Sequence, residues 1–195
     1  MLTIGHSTLS AEIFLKILEQ NAVASLVDIR TIPKSRHNPQ FEQGALGKTL
    51  AAAGIAYEWF PDLGGLRKTL RELDGLNAGW LTASFRGYAD YMQSEEFSSA
   101  IDRLLALESR LPKRPPNAAV IMCAEAVPWR CHRSLVGDAL LARGRSVEDI
   151  FFDRQGTSKR QPHRLTKFAR VEGTRVWYPP PELELDFGAA DATTG

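Results

Sequence analysis

Apolar residues recur along this chain with two alternating periods. LTIG (2–5) and ASLVDIR (24–30) are short runs rich in β-branched residues. Between them AEIFLKILEQN sets Ile13, Phe14, Ile17 and Leu18 on one helical face, with Ser10 as a candidate N-cap. This pattern predicts a strand–helix–strand unit. ALGKTLAAAG (45–54) predicts a second helix, stopped by Gly54 and feeding a strand at IAYEWF (55–60). Phe97, Ile101, Leu104, Leu105 and Leu111 mark a further helix, and AAVIMC (118–123) a further strand. Leu135, Val136, Ala139 and Leu140 mark a helix ending near Gly144, and VEDIFF (147–152) is the last strand. Strands alternating with helices predict an α/β fold, a Rossmann-like three-layer sandwich around a mainly parallel five-stranded sheet with right-handed crossovers. With strands numbered along the chain, the order 3-2-1-4-5 is expected.

Two stretches break the alternation. Residues 61–96 carry Gly64, Gly65, Gly75, Gly79 and Gly87 among Trp80, Phe85, Tyr88 and Tyr91, longer than an ordinary connection and a candidate lid whose aromatics would rim a pocket. From Arg154 to Arg175 seven Lys or Arg face a single acid, Glu172, and Glu182, Glu184, Asp186 and Asp191 follow. The expected organisation is therefore one α/β domain over 1–153 with an insertion at 61–96, then a basic-to-acidic extension over 154–195 that is partly loosely ordered.

Composition narrows the classes. A chain of 195 residues buries enough surface to fold without staples. Its net charge of +1 argues against a wholly basic nucleic-acid coat and leaves room for a local patch. MLTIGHS has no basic leader followed by a long apolar run, and no apolar run elsewhere is long enough to span a membrane, so a cytoplasmic protein is expected. Two cysteines, Cys123 and Cys131, cannot build a disulfide framework; in a reducing compartment they are thiols or metal ligands.

Ligands of open α/β sheets bind beyond the carboxyl ends of the strands, where the strand order reverses. Those ends carry His6 and Ser7 after the first strand, Asp28 and Arg30 at the second, and Cys123 and Glu125 after the fourth. In MCAEAVPWRCHRS, Pro128 is placed to open a helix whose positive end would face the same crevice, beside Cys131, His132 and Arg133. That setting favours anions and would lower the pKa of Cys131, whereas Cys123 reads equally as a small core residue. Arg30, Lys34, Arg36 and His37, on a Pro-punctuated loop, add positive charge at the same edge. A positive side chain in a helix's first turn opposes the macrodipole, so Arg133 calls for a negative partner: a bound anion, or the Glu125 carboxylate.

Several motifs fail on spacing. A cysteine phosphatase loop needs C-x5-R, whereas Cys123 and Arg130 form C-x6-R. Cys123, Cys131, His132 and His6 are zinc-ligand types, but C-x7-C is not a recognised spacing and adjacent Cys131 and His132 would need unusual geometry, so no metal site is assigned. GHSTLS supplies one glycine where dinucleotide binding needs three.

TIGHS (3–7), DIRTIPKSRHNPQF (28–41), LGG (63–65), GYADYM (87–92) and MCAEAVPWRCHR (122–133) together resemble the bacterial and archaeal family known as domain of unknown function 488. The resemblance runs to about Phe152, and HRLTKFARVEGTRVWYP (163–179) is similar to the tail of its members. It carries over to Gly5, His6, Ser7, Asp28, Arg30, Pro33, Ser35, Arg36, Cys123, Glu125, Cys131, His132 and Arg133, and implies a common site with no reaction attached. Three functions compete. The first is a small enzyme for an anionic, phosphate- or nucleotide-like ligand, with His6, Glu125 and Cys131 as catalytic candidates and Ser7, Asp28, Arg30, Arg36, Cys123, His132 and Arg133 as binding candidates. The second is a nucleotide- or nucleic-acid-binding module using the 154–175 strip. The third is a thiol- or metal-responsive regulator. No cofactor is assigned.

Overall fold

A computed structural model describes residues 1–181. The expected strands and the four expected helices form close to where periodicity places them. Helix α1 (Ala11–Gln20) starts at Ser10, whose hydroxyl accepts from the Ile13 amide at 3.2 Å, and buries Phe14, Ile17 and Leu18. Helix α2 (Gln43–Ala52) buries Leu46 and Leu50 and gives way to Gly54 at φ +70°, the left-handed turn that glycine adopts without a Cβ clash. The parallel strands are β1 (Leu2–Gly5), β2 (Val23–Asp28), β3 (Ala56–Trp59), β4 (Ala118–Cys123) and β5 (Glu148–Phe152). Helix α4 (Glu95–Ser109) carries Phe97, Ile101 and Leu104 inward, and α5 (Arg133–Ala142) does so with Leu135, Val136, Ala139 and Leu140. Leu111 lies past the end of α4.

Strand order and count correct the sequence reading. The sheet runs β3-β2-β4-β1-β5-β6, so β4 sits between β1 and β2, and a sixth strand, β6 (Ser158–Pro162), lies antiparallel to β5. The order 3-2-1-4-5 fails because β1 and β4 are both apolar on both faces. Burial makes each of them central and says nothing of which neighbours β2. β1 and β4 are nonetheless partners, with Gly5 opposite Cys123. Alternate residues of β4 serve two cores. Val120 and Met122 pack with α1 and α2, whereas Ile121 and Cys123 pack with α4 and α5. The exits of β1 and β2 therefore lead to one face and the exit of β4 to the other. Between those diverging exits a crevice opens.

Segment 61–96 holds a helix the periodicity did not reveal, α3 (Ala83–Tyr91), preceded by single 3-10 turns at Pro61–Leu63 and Arg71–Leu73. Asp90 anchors it: its carboxylate accepts from the Leu70 amide at 2.9 Å and from Asn77 Nδ2 at 2.8 Å, and Asn77 Oδ1 accepts from the Tyr178 amide at 3.0 Å. After β5 the chain adds β6 and then a hairpin of β7 (Arg170–Glu172) and β8 (Arg175–Trp177). Val176 and Tyr178 are buried in the core beside α5. The acidic residues Glu182, Glu184, Asp186 and Asp191 lie outside the described residues. Among the described residues no helix is long and apolar enough to cross a membrane.

Candidate functional site

The crevice is built first by an absence of side chain. A Cβ at Gly5 would lie 1.6 Å from the Glu125 carbonyl oxygen, so only glycine lets the β4–α5 loop cross the end of β1. Pairing then continues past β1, with the His6 amide on the Cys123 carbonyl (3.0 Å) and the Ser7 amide on the Ala124 carbonyl (2.8 Å). Ser7 takes φ +49°, a left-handed conformation that is costly for a residue with a Cβ. The strain falls at the mouth of the crevice.

Arg133 anchors the same loop from below. It is buried; its guanidinium donates to the carbonyl oxygens of Glu125 and Ala126, the latter at 2.9 Å, and its Nε to Thr3 Oγ1 at 3.3 Å. This corrects the anion-binding role expected of Arg133, and also the alternative ion pair. The first-turn position lets the side chain fold back under the loop, where main-chain carbonyls supply the negative partners. The Glu125 side chain is itself exposed. Pro128 opens only the single 3-10 turn Pro128–Arg130, not the helix, which begins at Arg133 after an extended Cys131.

Asp28 anchors the second side. Its fully buried carboxylate accepts from Arg30 Nε (2.8 Å) and NH2, from the Arg30 amide (3.0 Å) and from the Tyr57 hydroxyl (2.9 Å). The Tyr57 pKa is raised, by burial first and then by the Asp28 charge. Arg30 NH2 also donates to the Phe41 carbonyl (2.9 Å) and NH1 to His6 Nε2 (3.2 Å). Of the five N–H groups of a guanidinium this leaves one for the crevice. His6 donates from Nδ1 to the Ser7 carbonyl (2.8 Å), accepts at Nε2 and stacks on Phe41 with ring centroids 4.1 Å apart. Burial, with Arg30 beside it, lowers its pKa to about 4. His6 is thus neutral, and its acceptor nitrogen is already engaged by Arg30.

On the third side stand Cys123, Cys131 and His132. His132 Nε2 donates to the Ile29 carbonyl at 3.2 Å, which leaves the lone pair on Nδ1. That nitrogen is 3.9 Å from Cys123 Sγ and 3.7 Å from Cys131 Sγ. The Cys123 thiol is held below its ordinary pKa by the hydrogen bond from Cys131, with the Arg133 charge adding to the effect. Burial, then the neighbouring Cys123, push Cys131 up. The expectation of a lowered pKa at Cys131 is therefore reversed. A residue preceding a helix looked electropositive in sequence, but its thiol is turned into the protein beside a second sulfur.

These walls enclose a crevice of about 600 Å³. His6, Ser7, Arg30, Cys123, Glu125, Cys131 and His132 line it. Asp28 and Arg133 lie behind as anchors, and Arg36 is exposed on its loop outside the lining. Lys34, one of the basic loop residues expected at this edge, lines it too, as does Arg130. Among the described residues neither has a side-chain hydrogen-bond or ion-pair partner. The 61–96 segment supplies Gly65, Leu66, Ser84 and Phe85 to the wall. The other three aromatics correct the rim reading. Tyr88 is buried with its hydroxyl on the Leu63 carbonyl, Trp80 packs on Phe85, Phe168 and Tyr178, and Tyr91 lies under Arg67. Tyr57, the unforeseen partner of Asp28, had no signal beyond its place on a neighbouring strand.

Fold and site together define a mainly parallel α/β protein with a basic crevice floored by a Cys–Cys–His cluster beside the central strand. The chain belongs to the family described as domain of unknown function DUF488, whose model matches residues 10–140 and so spans the crevice from Asp28 to Arg133. No curated protein and no solved structure matches it.

Proposed function

We propose that the chain is an enzyme acting on a small anionic molecule, phosphate- or carboxylate-bearing, held in the crevice beside β4. The observation that carries this reading is the placement of two cations without partners among the described residues, Lys34 and Arg130, and one spare N–H of the anchored Arg30 on the walls of a crevice whose floor is a Cys–Cys–His cluster. Unspent positive charge around a concave site attracts anions, and a guanidinium held by Asp28 and His6 is pre-organised for them. Glu125, exposed at the mouth, is the candidate proton acceptor for a bound substrate. His6 has its acceptor nitrogen committed, so its part is to hold Arg30 in place. Ser7, at the strained turn, offers its hydroxyl to the ligand. A Rossmann-like architecture fits the position of the site at diverging strand exits. The basic strip supports a nucleic-acid partner less well, because Arg160 is spent on Asn21 and Glu148 and the charges of β6 guard a sheet edge.

Thermal unfolding of the parent protein in phosphate, sulfate and nucleoside monophosphates tests this. A concentration-dependent rise in midpoint is expected, and it should be lost in Lys34→Ala/Arg130→Ala, whose midpoint without anions should match the parent. Equal shifts in both proteins would place the anion elsewhere and sink the reading.

A further inference from the structure

We infer that Cys123, Cys131 and His132 form a three-ligand site for a soft divalent cation, zinc foremost, with its fourth position open to the crevice. The inference deepens the proposed function by giving the reactive floor a chemical identity, and it rests on that reading only for what would occupy the fourth position. The three donor atoms lie within 4.8 Å of one another. Bond lengths of about 2.3 Å to sulfur and about 2.0–2.1 Å to nitrogen set tetrahedral S···N edges near 3.6 Å. The S···N distances here are 3.9 and 3.7 Å, so those two edges need close by only a few tenths of an ångström, while the S···S edge, within 4.8 Å, must come to about 3.8 Å.

Three further features suit a cation. The lone pair on His132 Nδ1 faces both sulfur atoms, so all three atoms can give an electron pair to one ion. The opposite nitrogen donates to the Ile29 carbonyl, the outer contact that fixes the tautomer and ring orientation of ligating histidines. The ring is also wedged: Gly65 leaves no room for a Cβ, which would fall 2.4 Å from Nδ1, and Tyr88 packs 5.0 Å away on centroids. Adjacency of Cys131 and His132, an objection from spacing, is met by the backbone. Cys131 is extended (φ −135°, ψ 141°) and His132 turns helical (φ −54°, ψ −18°), so both donors reach one point.

All three residues line the crevice, so a tetrahedral ion there would keep a position for water or an anionic ligand, as catalytic zinc sites do. Binding would expel the two thiol protons to solvent, and two thiolates would cancel the charge of the ion. An oxygen bound at the open position would be polarised beside the cations of the crevice wall.

Cobalt(II) titration of the reduced, chelator-treated full chain tests the site. The expected result is one cobalt per chain, with thiolate-to-metal charge transfer and the intense visible bands of a four-coordinate ion, displaced by zinc. Cys123→Ser and Cys131→Ser should each weaken the charge transfer, and His132→Gln should lower affinity at least tenfold while keeping it. Circular dichroism of the variants separates loss of ligand from loss of fold, and Cys123→Ala serves if the serine variant is unfolded. Cobalt that gives only six-coordinate spectra, or binds the Cys123→Ala/Cys131→Ala protein as well as the parent, overturns the site. A cobalt site in a protein without anion-dependent stabilisation would leave this inference standing and remove the proposed function. Anion stabilisation without cobalt binding would do the reverse.

Discussion

A methyl group at Gly5 has nowhere to go, because the Glu125 carbonyl that Arg133 clamps already fills its place. Gly5→Ala must push the β4–α5 loop off β1 or strain it in place, and both disturb Arg133 NH1, itself 2.8 Å from the built Cβ. A loss of about 3 kcal/mol or more, at the upper end of over-packing costs, is expected in urea unfolding. Gly44→Ala, with no atom within 4 Å of its Cβ, should be neutral or slightly stabilising in the same assay. At this scale the sequence was legible in identity and not in partnership. His6, Arg30, Cys123, Cys131 and His132 were recognisable as a group because strand ends put them on one edge. Whether a guanidinium faces a ligand or a carbonyl depends on atoms eight residues away along a turn. Arg130 and Arg133 are alike in sequence, yet one lines the crevice and the other holds the loop that forms it.

Among elements, periodicity found β1 to β5 and four of the five helices because each carries an apolar stripe or run that water would expel. It missed α3, whose ASFRGYADY holds a glycine and no aliphatic stripe, although Tyr88 and Ala89 are buried in the core and Asp90 ties the helix to Leu70 and Asn77. It also missed β6 to β8, since SKRQP and RVEGTRVW read as charge, and β6 is a strand only because β5 offers it an open edge. Charge and proline on β6 are what keep that edge from pairing further. Asp90 is one of the pins of the crevice wall made by 61–96, beside the Tyr88 hydroxyl on the Leu63 carbonyl and the Gly79 amide on the Tyr178 carbonyl. Asp90→Ala removes the acceptor of the Leu70 amide and of Asn77 Nδ2, and Asn77 is also the link to Tyr178. Hydrogen exchange across residues 66–80 is expected to rise at least tenfold in Asp90→Ala, with α1 and β1 protected as in the parent. Uniform loss of protection would mean that Asp90 holds the whole fold and not this wall.

For the whole molecule, the residue that joins the parts is His163, which no pattern marked because its partners lie on other elements. Its Nδ1 meets Asp149 on β5 at 2.8 Å and its Nε2 meets Asp138 on α5 at 3.3 Å. Tyr178, after the last hairpin, donates to the same Asp138 at 2.8 Å, and Thr3 on β1 donates to Asp149 at 2.6 Å. The chain after β6 is thus tied to the sheet and to α5 by a buried imidazolium, with Thr166 and Tyr178 meeting the same Asp138. Burial alone would lower the His163 pKa, but the hydrogen bonds and charges of Asp138 and Asp149 outweigh it and raise it to about 9. The folded protein therefore holds a proton that the unfolded chain releases near 6.5, so this contribution is complete below about pH 6.5 and is lost as pH rises through 9. A rise of that size corresponds to roughly 3 kcal/mol. Two measurements check it. The His163 ring resonances should titrate near pH 9 by NMR, and urea unfolding should find the parent more stable than His163→Gln by roughly 3 kcal/mol at pH 6, with the gap narrowing steadily toward pH 10. A constant gap would mean that His163 holds the extension by shape alone, with its charge doing nothing.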